Sequence, residues 1–255
     1  MNTAILGYGI VGRATHHAVL GDRDDVDTFD LHNRQEFWTR TYDLIFVCLP
    51  TATQDDLGYV EHVCQRIAAE QPRACIVVRS TVPPGFISQR LANIHDRMIY
   101  FPEFLRERCW REDSQVGAWV IGCLPATAQV LQDLAQDREV SIMTHAEAEM
   151  LKMMVNAYAA TRVVFANHVY DLCQRLGADY AQVRQGYAMV NHQDQDYLDV
   201  REDLRGFGGK CLPKDLAFLI QAFDSAALRQ TLFSSVRMDN FKWPVTVRQD
   251  ITDAD

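Results

Sequence analysis

The sequence predicts an α/β fold. A doubly wound parallel sheet occupies residues 1–144, and an all-α domain built on one long helix occupies 145–255. Three observations predict it. Short apolar runs alternate with helix-like stretches up to about Thr144, the pattern of a parallel sheet covered on both faces. The first of these units carries glycines at 7, 9 and 12, between a strand-like and a helix-like run. From Ala146 the texture becomes helical, with no internal glycine or proline before Gly177.

The first element, "TAIL", is a short apolar strand that turns through "GYGIVG" into a helix; "VDTFD" is the second strand and ends in Asp30. This is a G-x-G-x-x-G element opening a helix, with an acid about 20 residues on. Gly7 makes the tight turn, Gly9 lets the backbone approach a pyrophosphate, and Gly12 lets the helix pack close to the strand. The helix N-terminus supplies dipole and N–H groups for phosphate. Gly7, Tyr8, Gly9, Ile10, Val11 and Gly12 thus form a candidate dinucleotide-binding turn of a Rossmann-type domain. Asp30 is suited to a ribose 2′-OH and repels a 2′-phosphate, so NAD is favoured over NADP.

Further strands are expected in "YDLIFVCLP", "ACIVVRSTV", "MIYFPEFL", "AWVIG" and "VSIMT", with helices in "DLGYVEHVCQRIAAEQ" and "GFISQRLANIH". Ligands of such sheets sit beyond the carboxyl ends of the strands. The turns after Leu49 and Arg79, and the one near Pro102, are therefore expected to face the cofactor. In the second half, "YAQVRQGYAMV", "DLAFLIQAF" and "AALRQTLFSSVRMDNF" read as shorter helices, and "VTVRQDITDAD" as a frayed tail or a docking strand.

The net charge of −9, with no block of like charges, argues against nucleic acid or an anionic membrane as the main partner. No apolar run is long enough to span a bilayer, and the N-terminus lacks the marks of a signal peptide, so a cytoplasmic location is expected. The seven cysteines are scattered, with no CxxC pair, and read mostly as buried thiols; no metal site is expected.

Two places carry candidate chemistry. Lys152 and Asn156 lie one helical turn apart among apolar neighbours. They are either a snorkelling lysine and a surface amide or a cleft-facing pair. In "GFGGKCLPKD", Cys211 precedes the helix that Pro213 opens and is flanked by Lys210 and Lys214. A thiol at a helix N-terminus beside cations gains thiolate character, which Asp215 in the first turn partly opposes. A capped helix start with an incidental cysteine is the plainer reading.

Together, "GYGIVG", "FVCLPT", "RSTVPPG", "YFPEFLRE", "AEMLKMMVNAYAATRVVFANHVYDLCQRLGAD" and "GFGGKCLPKD" resemble, in order, the motifs of the UDP-glucose/GDP-mannose dehydrogenase family. The resemblance implies oxidation of a primary alcohol to a carboxylate with two NAD. It makes Cys211 the nucleophile, Lys152 and Asn156 the stabilisers of alkoxide and oxyanion, and Glu103 the activator of the hydrolytic water. Asp215 orients that water or the lysine, and Thr81 positions a water or substrate oxygen. Thr51, Ser80 and Glu107 match cofactor-contacting positions. Phe104, Leu105, Arg106, Phe207 and Gly208 match substrate-contacting ones. A homodimer through the long helix is implied; Met150, Met154, Val163, Phe165 and Val169 serve either that contact or packing within the chain.

Two departures bear on the substrate. Family members continue into a further α/β domain that grips the nucleotide, and the chain is expected to lack it. The family's "RIG" element is absent from "NHQDQDYLDVREDLRGFGG": Gln195 falls near the arginine's place, and Arg201 and Arg205 sit at other spacings. The segment after "FVCLPTAT" is also shortened. These departures spare the chemistry and point to a small-molecule alcohol, a sugar phosphate or a nucleotide sugar held in an altered way. The alternatives are a two-electron dehydrogenase of the β-hydroxyacid type and a non-catalytic NAD-binding interaction protein.

Overall fold

The structure, a computed structural model, describes residues 1–30, 32–135, 137–191 and 197–245. The chain divides into two compact units, Met1–Lys152 and a second beginning at Met153. The division falls inside the long helix, whereas the sequence reading set its boundary at that helix's start.

Unit 1 is a seven-stranded sheet in the order β2-β1-β3-β4-β5-β6-β7. Its strands are β1 (Thr3–Leu6), β2 (Val26–Phe29), β3 (Leu44–Val47), β4 (Cys75–Val78), β5 (Met98–Tyr100), β6 (Trp119–Gly122) and β7 (Val140–Met143). Each falls in an apolar run expected to form a strand. β1, β3 and β5 are buried along their whole length, as both-face coverage requires. The five strands from β2 to β5 pair in parallel and in register. The order reverses between β1 and β3, the switch point at which open parallel sheets bind ligands.

The helices of this unit are α1 (Ile10–Leu20), α2 (Arg34–Phe37), α3 (Gln54–Glu70), α4 (Trp110–Gln115), α5 (Gln129–Ala135) and the first turns of α6 (His145–Leu176). α3 begins at a capping box in which Thr53 and Asp56 exchange side-chain and backbone bonds. One core cluster joins Ile5, Leu44, Phe46, Val77 and Ile99 of the sheet to Val19 and Leu20 of α1 and Leu131 and Ala135 of α5.

Two expectations are corrected here. β6 runs antiparallel to β5. A parallel return needs a crossover back along the sheet, and the connecting segment instead packs on α1: the Trp110 ring meets His17, and Gln115 bonds His17 at 2.8 Å. "GFISQRLANIH" is not a full helix. It forms a π turn, Phe86–Arg90, and a separate 3-10 turn, His95–Arg97. There the Glu149 carboxylate accepts the Gly85 and Ile87 N–H groups.

Unit 2 is helical: the remainder of α6, which ends at Gly177 in a left-handed conformation, then α7 (Tyr180–Asn191), α8 (Leu212–Ser225) and α9 (Leu232–Asn240). Ala166, Cys173, Tyr180, Leu198 and Val200 form one core cluster. α9 begins at Leu232, later than the helical pattern from Ala226 predicts. Ala227 adopts a positive φ of 54° just after α8, which interrupts the run. Of the sequence's final segment, residues 246–255 lie outside the described residues.

Candidate active site

The candidate residues fall into two sets, one in each unit. In unit 1 they lie where strands end. The turn after β1 brings two glycines into close contact: a Cβ on Gly12 would meet the Gly7 carbonyl oxygen at 2.1 Å, and one on Gly7, at φ 97°, would meet the Cys48 carbonyl oxygen at 2.5 Å. α1 therefore starts pressed against β1. Gly9 is its N-cap residue, with open space at its Cα and no side-chain cap for the first N–H groups. A backbone so bare and so close to the sheet fits a pyrophosphate. Tyr8, Ile10 and Val11 are half-buried around the turn, and Tyr8 Oη bonds His16 Nδ1 at 2.6 Å. Asp30 is exposed just beyond β2, where a ribose-binding carboxylate belongs.

The next strand ends continue the same edge. Thr51 is buried after β3. Ser80 follows β4 and donates to the Leu49 carbonyl at 2.7 Å, tying two strand ends together; Thr81 is half-buried beside it. After β5, Glu103 is buried, and its carboxylate accepts the Leu105 N–H at 2.6 Å. Lys152 donates to the Glu103 carbonyl and faces its carboxylate at 3.3 Å, both side chains being buried. Burial alone raises Glu103. The Lys152 ammonium, the Leu105 N–H and Arg79 outweigh it and hold the carboxyl below its ordinary range.

Phe104 is exposed, with the Lys152 ammonium 5.3 Å above its ring. Leu105 is half-buried, and Glu107 is exposed at the start of a 3-10 turn. Arg106 folds back on Asp113, donating from Nη2 at 2.8 Å and Nε at 3.0 Å.

Unit 2 holds the second set. Cys211 is the N-cap residue of α8, with proline in the first turn, and it is exposed. Cys48, Cys64, Cys123 and Cys173 are buried, and Cys75 and Cys109 are half-buried. Burial pushes the thiols of Cys48 up to about 11 and of Cys64 and Cys75 up to about 12, which makes them inert. Asp215 is fully buried in the first turn of α8. It accepts a hydrogen bond from Asn156 of α6, and Lys214 Nζ lies 2.9 Å from its other oxygen. Asn156 is thus no surface amide: it is buried and bound to the helix that carries the thiol. Phe207 is buried, and Gly208 half-buried.

Several participants were not read from the sequence. Arg79 is buried, donating to Thr15 Oγ1 at 3.1 Å and to the Phe101 carbonyl at 3.0 Å. A cation closing the apolar strand "CIVV" is a signal that finds it. Glu149 is buried three residues before Lys152 and accepts from Gly85 N at 2.7 Å and Ile87 N at 2.8 Å. Arg205 bonds Asn167 Oδ1 at 2.7 Å and Asp171 at 2.5 Å. Arg201 faces Asp203 at 3.3 Å, and Gln195 lies outside the described residues.

Comparison with known proteins decides what these motifs belong to. Residues 146–242 match the central domain of the UDP-glucose/GDP-mannose dehydrogenase family. The chain therefore carries that family's central domain. A GDP-mannose 6-dehydrogenase of Pseudomonas putida is 31% identical over 224 residues, 79% of this chain and 51% of the relative. A UDP-glucose 6-dehydrogenase of Rickettsia prowazekii is 27% identical over 218 residues, 79% of this chain and 50% of the relative. The chain thus spans about half the length of the curated family members it matches. Among solved structures, a UDP-glucose dehydrogenase from Pyrobaculum islandicum superposes with a TM-score of 0.77 at 24% identity, covering 94% of this chain and 68% of that one. That likeness establishes the fold and agrees with the strand-and-switch-point architecture of unit 1. Among the described residues no helix is long and apolar enough to cross a membrane, and no cluster of potential metal ligands occurs.

Proposed function

We propose that this chain is an NAD-dependent dehydrogenase that oxidises the primary alcohol of a sugar or nucleotide sugar to a carboxylate, with Cys211 as the nucleophile, and that it works as a cytoplasmic homodimer. The observation that carries the reading is the start of α8. The one exposed thiol among the described residues sits there, four residues before a buried carboxylate bonded to Asn156. Support for NAD comes from the bare α1 terminus, the close-packed Gly7 and Gly12, and the exposed Asp30.

NAD, when bound, takes the hydride in both oxidations, alcohol to aldehyde and thiohemiacetal to thioester. The Cys211 thiolate adds to the aldehyde carbon, and the carbonyl oxygen takes a proton to give the thiohemiacetal. After the second oxidation, which also releases that proton, water attacks the thioester carbon; the C–S bond breaks and the carboxylate leaves. In this reading Lys152 and Asn156 stabilise the alkoxide and the oxyanion. Glu103 orients and activates the hydrolytic water; a carboxylate kept ionised by Lys152 and Arg79 does so more through its charge than as a strong base. Asp215 orients that water or the lysine, and Thr81 positions a substrate oxygen. Thr51, Ser80 and Glu107 contact the cofactor; Phe104, Leu105, Arg106, Phe207 and Gly208 line the substrate.

Counting NADH tests the reading, with UDP-glucose and GDP-mannose as first probes and a wider alcohol panel after them. Two NADH per alcohol, with Cys211→Ser stopping at the aldehyde level, is the expected result. One NADH per alcohol, with Cys211→Ser unaffected, assigns a two-electron oxidation of the β-hydroxyacid type instead. No NADH from any alcohol leaves a non-catalytic NAD-binding protein.

A further inference from the structure

The thiol of Cys211 follows a loop rich in glycine, and glycine leaves a backbone free to wander. A nucleophile needs the opposite: displacement by about 1 Å can cost on the order of 100-fold in rate. Downstream, Cys211 is fixed by α8, since its carbonyl accepts the Asp215 N–H at 2.9 Å and Asp215 is buried against Asn156. Upstream, the loop is gripped at Phe207. The Asn240 side chain accepts the Phe207 N–H at 2.7 Å and donates to the Phe207 carbonyl at 2.8 Å.

One amide thus pairs with both polar groups of one backbone residue, as a neighbouring strand does. Asn240 is the last residue of α9 and is only 5% exposed, as is Phe207. The fit is close: a Cβ on Gly206 would meet Asn240 Oδ1 at 2.8 Å. On the other side of Gly206, Arg205 is anchored to Asn167 and Asp171 of α6. The stretch between the clamp at Phe207 and Cys211 is three residues, Gly208, Gly209 and Lys210.

We infer that Asn240 is a positioning residue for the nucleophile: its bidentate grip on the Phe207 backbone sets where the Cys211 thiol stands. The inference rests on the proposed role of Cys211 and adds the element that holds it. Asn240 touches no reacting atom in this role. It acts through Phe207, so its removal should affect the thiol's chemistry more than the first oxidation.

The test uses the full chain and needs no substrate for its first arm. Alkylation of Cys211 by iodoacetamide is followed by peptide mass spectrometry, with Cys109 as the internal standard and Cys211→Ser as the blank. Asn240→Ala is expected to slow alkylation at Cys211 about tenfold relative to Cys109, because the stretch released at Phe207 carries Lys210, and a cation moved away from the thiol leaves less thiolate. Asn240→Asp keeps the size and the acceptor for the Phe207 N–H but sets a second oxygen against the Phe207 carbonyl, and is expected to fall between. It also serves if the alanine variant does not fold.

In the second arm, turnover of UDP-glucose or GDP-mannose by Asn240→Ala should release free aldehyde, with NADH per alcohol falling from two towards one. A merely structural loss lowers both oxidations together and leaves that ratio at two. Unchanged alkylation in a folded Asn240→Asp, or a ratio that stays at two in both variants, overturns the inference. That outcome is separable from failure of the underlying reading, in which the wild-type chain itself yields one NADH per alcohol and Cys211→Ser is unaffected.

Discussion

The pair Lys152–Glu103 shows how a single ion pair can govern a site. Both side chains are buried, so the pair is held out of water and each partner is the other's nearest compensation. Replacing Lys152 by methionine leaves a buried carboxylate with only Arg79 and the Leu105 N–H for support. Destabilisation of about 3–5 kcal/mol near neutral pH is expected, the usual cost of orphaning one partner of a buried pair. The sign of its pH dependence follows from Glu103. Its pKa is depressed, so its contribution to stability is present above the ordinary carboxylate value and is lost as pH falls through the folded value. Without Lys152, burial dominates and raises that pKa, so the deficit of Lys152→Met should shrink towards acid pH. Glu103→Gln added to Lys152→Met should recover much of the loss. Urea denaturation of the three variants from about pH 4 to pH 8 checks this; a deficit independent of pH removes Glu103 from the account. At this scale the sequence offered candidates for the chemistry but not their supports. Cys211, Lys152 and Glu103 stand in spaced motifs, whereas Asn240 and Glu149 act on backbone groups far away in the chain and leave no local pattern.

At the scale of elements, the seven strands were legible because each is a short apolar run closed by turn residues, and α6 because its pattern runs unbroken to Gly177. The direction of β6 was not, since strand direction is decided by how a connection packs and not by the strand's own residues. Nor was the π turn after β4, whose shape depends on Glu149. That residue is a strap from α6 to the turn following Ser80 and Thr81. Burial pushes its carboxyl up to about 7, with the Ile87 and Gly85 N–H groups opposing. A raised pKa means stability that is fully present below the unfolded carboxyl value and is lost as pH rises through about 7. From the ordinary value the shift corresponds to about 3 kcal/mol at most. Glu149→Gln cannot ionise, so its stability relative to the wild-type chain should climb by up to that amount between about pH 5 and pH 8. Thermal melts of the two proteins across this range measure the difference; parallel profiles would show that Glu149 carries no proton in the fold.

For the whole molecule, the surface of α6 bears on assembly. Met154, Tyr158, Phe165, Leu172 and Leu176 are each more than half exposed on this one 32-residue helix. Met150 is 43% exposed, whereas Val163 and Val169 are half-buried. Tyr158, Phe165 and Leu172 recur every seven residues, the spacing of a helix seam that packs on another helix. An apolar stripe of this size is rarely left bare in water, and the proposed homodimer would cover it by pairing through α6. Light scattering coupled to size exclusion should report twice the chain mass. Phe165→Glu with Leu172→Glu places two carboxylates on the stripe while touching no residue assigned to the site. The double variant should elute as a monomer with its secondary structure intact. A wild-type chain that is monomeric at micromolar concentration, or a double variant that stays dimeric, would move assembly off this face and leave the apolar stripe of α6 to be explained by another partner.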